Sequence, residues 1–162
     1  MEAALRDGIL RGAYWQRLPA AGCPLVIVYC GVVAPEAMAA HQQLLEDVPG
    51  AGLLAVTSPD RLFGNWSSTV QARTRGANPP SAHIETLLAP LAVHATLVTV
   101  LDAHPATLSW LGSVAGHRVY PLGVDHFGQC GSLPDLYRAH GIDTASILDA
   151  CAAACQIGRA HV

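Results

Sequence analysis

The stretch LVIVYCGVVAPE, residues 25–36, decides how the chain folds. Leu25 to Cys30 is an unbroken apolar run, rich in β-branched residues, with no polar alternation. A strand with one face in water would alternate, so this one is expected to be buried on both faces, as in a parallel sheet. Gly31 ends the run. Pro35 then starts a helix, with Glu36 favourably placed in its first turn against the helix dipole. Alanine-rich spacing carries that helix to Asp47. Pro49–Gly50 breaks it, and Gly52–Val56 follows as a second buried strand. Strand, helix, strand implies a crossover that brings the two strands side by side and parallel.

The pattern continues outward. Ala95–Leu101 is expected as the third strand and Arg118–Val124 as the fourth. Pro121 predicts an edge position for the fourth, because it lacks the N–H that an inner strand must donate. Between the second and third strands, Ser58–Pro59–Asp60 opens a short helix. Residues 64–81 are polar and rich in glycine and proline, and are expected as a long connection with a helical stretch over 66–75. Short helices are expected over 84–91 and 105–111. Ser132, Pro134 and Asp135 start a further helix that Gly141 ends. Asp143 or Thr144 caps the last one, whose face carries Ile147, Leu148, Cys151 and Cys155. These elements predict one three-layer α/β domain. Its twisted sheet of about five strands is mainly parallel but mixed, with helices on both faces. The domain is expected over 23–155, after a lead-in helix and linker over 1–22. Residues 156–162 are not expected to extend the last helix and are set aside as an artefactual tail.

Composition narrows the function. The 162 residues suit one domain with a substantial core. Charged residues make up 13%, against about 25% in a typical soluble domain. So little charge points to a surface that a partner covers. The net charge is −3, and all nine basic residues are arginine. There is no basic stripe, so nucleic acid is not expected as a partner. With no lysine, no Schiff-base nucleophile or phosphate-loop lysine is available. No apolar run approaches the ~20 residues that span a membrane. Residues 1–12 lack the apolar core of a secretory signal, so a cytoplasmic location is expected. The five cysteines, Cys23, Cys30, Cys130, Cys151 and Cys155, form no Cys-x-x-Cys pair and are expected as thiols.

The reactive-looking residues gather in GVDHFGQCGSLPDLYRAHGID, residues 123–143. Asp125 and His126 fall just past the fourth strand's carboxyl end, where open α/β sheets collect ligand groups. One reading is an acid–base pair. The favoured one is a turn in which Asp125 bonds nearby backbone amides and His126 faces solvent or a partner. Cys130 could be a nucleophile activated by the following helix, but a small residue in a tight turn is favoured. His104 lies past the third strand beside Asp102. A metal site would have to combine His104, His117, His126 and a cysteine, without any short ligand spacing, and none is expected. Gly31 stands where dinucleotide folds grip pyrophosphate, yet one glycine followed by Pro35 is a poor phosphate loop. No G-x-S-x-G elbow or Walker loop is present. No residue is therefore assigned as catalytic, cofactor-binding or metal-binding. A small Cys/His hydrolase remains a lesser alternative.

Three stretches together resemble the carboxyl-terminal domain of thiamine-diphosphate enzymes: VTSPDRL (56–62), VTVLDAHPATLSWLGSV (98–114) and residues 123–143. Among these enzymes the resemblance favours the transketolase-like, homodimeric pyruvate dehydrogenase component. ILRGAYW (9–15) resembles the hand-over from that family's pyrimidine-binding domain. The resemblance implies the last of three α/β domains, a sheet that helps hold a dimer, with Phe127 packing inward from a structural G-x-D-x-F-G turn. The family carries Gly where this chain has Ala103 and Ser where it has Cys130. Its Gly-Asp-Gly run with a following asparagine, which would hold magnesium and diphosphate, does not occur here, nor does a pyrimidine-binding stretch with its activating glutamate. The expectation is a non-catalytic domain that binds no cofactor itself. Its parent would be a thiamine-diphosphate and magnesium enzyme, either a 2-oxo acid dehydrogenase or a transketolase. Its partner would be a second copy or the catalytic domains. The alternative is a free-standing interaction or regulatory subunit that pairs with separate catalytic chains.

Overall fold

A computed structural model of the chain describes residues 3–126 and 128–159. Five strands form one sheet in the order β1-β3-β2-β4-β5. They are β1 (Ala13–Arg17), β2 (Cys23–Cys30), β3 (Gly52–Val56), β4 (Leu91–Leu101) and β5 (Arg118–Leu122). β2 is central. It runs parallel to β3, with Ile27 opposite Leu53, and parallel to β4, with Ile27 opposite Val98. β4 runs parallel to β5, with Val98 opposite Tyr120. β1 alone is antiparallel, with Trp15 opposite Leu54. The sheet is therefore mainly parallel and mixed. β5 lies at the edge, as Pro121 demands.

The apolar run of β2 is divided between two cores by the two-residue period of a strand. Leu25, Ile27 and Tyr29 face one layer, with Leu53, Ala55, Val98 and Val100. That layer holds α2 (Ala34–Asp47) and α8 (Thr144–Arg159). Val26 and Val28 face the other, with Leu54, Val56 and Leu97. There they meet α3 (Pro59–Thr74), α4 (His83–Leu88) and the short helices α5 (Ala106–Ser109) and α6 (Gly112–Ala115). Two-sided burial is why the run shows no polar alternation. The remaining helices are α1 (Ala3–Arg11) and α7 (Leu133–Ala139).

Several expectations change in detail. The segment read as lead-in contains β1, which joins the sheet through β3. Its five residues, one of them fully buried, carry too weak an alternation to stand out. The expected connection over 64–81 is mostly helix, since α3 continues unbroken to Thr74. Leu62, Trp66 and Thr69 recur at helical spacing on its inner side, and the space around Gly64 is open, so the glycine breaks nothing. β4 starts at Leu91, where a helix was expected to continue, and β5 stops at Leu122 rather than Val124. α8 continues to Arg159, into the segment set aside as a tail. Of the two expected caps, Asp143 is the one used: its carboxylate accepts the Ser146 N–H at 3.2 Å. The expected packing of Phe127 lies outside the described residues.

Candidate functional site

The four parallel strands end on one rim, at Cys30, Val56, Leu101 and Leu122. The chain leaves β2 through α2 towards β3, and leaves β4 in the opposite direction towards β5. The crevice between the ends of β2 and β4 is thus the topological switch point, where open α/β sheets place their ligands. Here it is occupied from within. A Cβ on Gly31 would lie 2.1 Å from Asp102 Oδ1, so the Asp102 carboxylate sits where any other residue would put its side chain. Gly31 also has φ +83°, a conformation that glycine adopts at little cost. Gly31 therefore serves the close approach of Asp102 rather than a phosphate. The neighbouring thiol of Cys30 is pushed up, first by burial and then by the Asp102 charge.

Beyond β5 the rim is shaped by a second close approach. The Val124 N–H donates to Ala103 O at 3.0 Å, and a Cβ on Gly123 would come within 2.5 Å of the same oxygen. This ties the two loops after β4 and β5 and presents Asp125 and His126 together. Their side chains bond directly, His126 Nδ1 to Asp125 Oδ1 at 2.5 Å. The sequence reading had Asp125 bonding backbone amides; its main partner is instead the adjacent imidazole, which holds the carboxyl below its ordinary range. The expected solvent exposure of His126 is found, at 80% for the imidazole against 54% for the carboxylate. An acid–imidazole pair so open to water can hold a proton, but it lacks the dry surroundings and fixed third group of a catalytic triad. Among the described residues His126 has no other side-chain partner, and Cys130 is an exposed free thiol. A hollow of about 230 Å³ lies between this loop and α7. Val124, Leu136 and Tyr137 line its apolar side, and Asp102, His126 and His140 its polar side.

His117, Cys151 and Cys155 are not brought to this rim. His104 stays here, its Nδ1 accepting the Ala106 N–H at 3.2 Å at the start of α5. His117 precedes β5, at the opposite end of that strand. It is buried, neither ring nitrogen has a partner among the described residues, and burial pushes its pKa down. Cys151 and Cys155 lie on α8, and burial pushes the Cys151 thiol up to about 12. Among the described residues no group of three or more His, Cys, Asp or Glu side chains is arranged to hold a metal ion. Two polar ties escaped the sequence reading. Glu36 on α2 accepts both the Thr144 N–H at 2.8 Å and the Thr144 hydroxyl at 2.5 Å, clasping α2 to α8 across 108 residues. His83 Nε2 bonds Ala13 O at 2.8 Å and so fastens β1 to α4. Nothing short-range in the sequence signals either.

A doubly wound α/β scaffold with one antiparallel edge strand is the class these features define. Solved structures similar to it include transketolases. The transketolase of Leishmania mexicana superposes with a TM-score of 0.64 at 17% identity, over 93% of this chain and 19% of that one. The transketolase of Pichia stipitis in complex with sedoheptulose-7-phosphate gives 0.63 at 15% identity, over 95% and 19%. A split-gene transketolase, described as an inactive beta4 tetramer, gives 0.60 at 15% identity, over 88% of this chain and 41% of that one. The chain thus has a transketolase carboxyl-terminal-like fold, as the sequence resemblance implied, and spans about a fifth of the first two relatives' length. No protein-family model and no curated protein sequence matches it. Among the described residues no helix is long and apolar enough to cross a membrane.

Proposed function

We propose that this chain is a non-catalytic scaffold domain of a thiamine-diphosphate enzyme, bracing an active centre built by other domains. The observation that carries this reading is the extent of the fold match: nearly the whole chain against about a fifth of a transketolase. The sequence adds that the Gly-Asp-Gly run expected to hold magnesium and diphosphate is absent. The switch-point crevice, filled by Asp102 against Gly31, offers no phosphate cradle in its place. The parent reaction is either two-carbon transfer or oxidative decarboxylation of a 2-oxo acid, and the partner is a second copy or the catalytic domains. Isothermal calorimetry of the chain with thiamine diphosphate and magnesium tests the reading. No heat of binding is expected, and micromolar affinity would refute it.

A second reading is a separate subunit that pairs with catalytic chains. It is favoured by the likeness to a split-gene transketolase and by exposed apolar residues such as Val93, Leu133 and Phe63. A reading frame for the catalytic domains beside this one would support it. A frame continuous through Met1 would return the chain to the first reading.

A further inference from the structure

We propose that His117 makes β5 an acid-released edge strand: with the imidazole neutral the strand closes on β4, and protonation drives it off. The proposal goes beyond the scaffold reading and does not depend on it. Among the described residues three histidines are buried, His41, His83 and His117. His41 bonds Ala51 O and His83 bonds Ala13 O, each at 2.8 Å through Nε2. An imidazolium at either place still has a carbonyl to donate to. His117 is 7% exposed, and neither ring nitrogen has a partner among the described residues. Protonated in place, it would hold a charge and two unpaired N–H donors away from water.

The elements around His117 offer that charge no relief. On β4 its neighbour is His94, a second imidazole that opposes its protonation. α6 packs closely, since a Cβ on Gly112 would lie 3.0 Å from His117 O, and it has no titratable group. β5 itself brings Arg118, a cation exposed to solvent. α4, which packs on α6, carries His83 and Glu85. Those two are already bonded, His83 to Ala13 O and Glu85 to Arg73. No carboxylate among these elements is free to pair with an imidazolium at His117.

The strand that follows His117 is the one held least. β5 lies at the sheet edge and pairs with β4 alone. None of its five residues is buried, whereas every other strand has at least one that is. Gly116, at φ +75°, stands immediately before His117 and lets the chain swing there. Lifting β5 from β4 therefore brings the imidazole to water at far less cost than unfolding the chain. β5 leads straight into the loop of Asp125 and His126, so the opening is transmitted to the rim. Burial lowers the closed-state pKa of His117 from the ordinary 6.5. Closure is thus at full strength above about pH 6.5 and is lost as pH falls from there towards the lowered value.

Hydrogen–deuterium exchange of the full chain tests this, followed by NMR at about pH 7.5 and about pH 5.5 and corrected for the intrinsic amide rate at each pH. An imidazole that is neutral when closed and returns to 6.5 when open raises the open fraction about tenfold over that interval. The β5 amides that are protected at the higher pH should therefore lose from about twofold to about tenfold of their protection. At both pH values they should stay at least about tenfold less protected than the amides of Val26, Ile27 and Val28 in β2. In His117→Leu the loss should fall below about twofold. His117→Gln, neutral and polar, serves in its place if the leucine variant does not fold. A loss below about twofold in the unaltered chain overturns the proposal, and so does a larger loss that survives in the folded variant. Protection of β5 equal to that of β2 also overturns it, because the whole chain would then be what opens.

Discussion

Replacing Gly31 by alanine tests whether the switch point is closed by the Asp102 carboxylate. Two costs can be separated. An L-residue at the left-handed φ of +83° costs about 1–2 kcal/mol. The new Cβ would also lie 2.1 Å from Asp102 Oδ1, so the carboxylate must swing out, at about 0.5–1.5 kcal/mol for an unfavourable rotamer. The sum is about 1.5–3.5 kcal/mol, or about 3–14 °C in melting temperature for a chain of this size. Asp102→Ala alone removes an exposed group and should change stability by less than about 0.5 kcal/mol. In that background Gly31→Ala should cost only the backbone part. The cycle therefore predicts a coupling of about 0.5–1.5 kcal/mol between two residues 71 positions apart. Urea unfolding followed by circular dichroism measures all four proteins, with unchanged m-values as the check that one transition is being compared. Additive effects, or a Gly31→Ala cost below about 0.5 kcal/mol, would show that the crevice is open and that the glycine serves something else.

Two further outcomes follow from burial. His117→Leu removes two buried nitrogens that have no partner, and should leave stability at neutral pH unchanged or raise it by about 1 kcal/mol. Burial lowers the folded-state pKa of both His117 and His83 from the ordinary 6.5. The unfolded chain therefore binds protons first as pH falls below about 6.5, and stability drops in that window. His117→Leu should flatten part of that fall in urea midpoints measured against pH; a steeper fall, or a neutral-pH loss above about 1 kcal/mol, would mean that the imidazole is bonded. A thiol reagent at pH 8 should modify exposed Cys130 well before buried Cys23 and Cys151, as mass spectrometry of the peptides would report. Cys151 reacting as fast as Cys130 would contradict the packing of α8.

Residues 25–36 by themselves determined the main architecture, because a strand buried on both faces cannot hide its period. Six apolar residues followed by Gly31 and Pro35 allow little besides a central parallel strand turning into a helix. Pro121 likewise placed β5 at the edge through one missing donor. Only the tertiary structure decided the rest. Ala13–Arg17 is a strand because β3 has an open side to pair with, and strand preference in so short a segment is set by such neighbours. The expectation of no reactive constellation rested on turn chemistry, and the structure showed the Asp125 carboxylate bonded chiefly to His126. The Glu36–Thr144 clasp and the Gly31–Asp102 contact each join residues far apart in the chain. Local pattern reports period and capping, whereas these groups meet only after the sheet has brought its two ends and two faces into place.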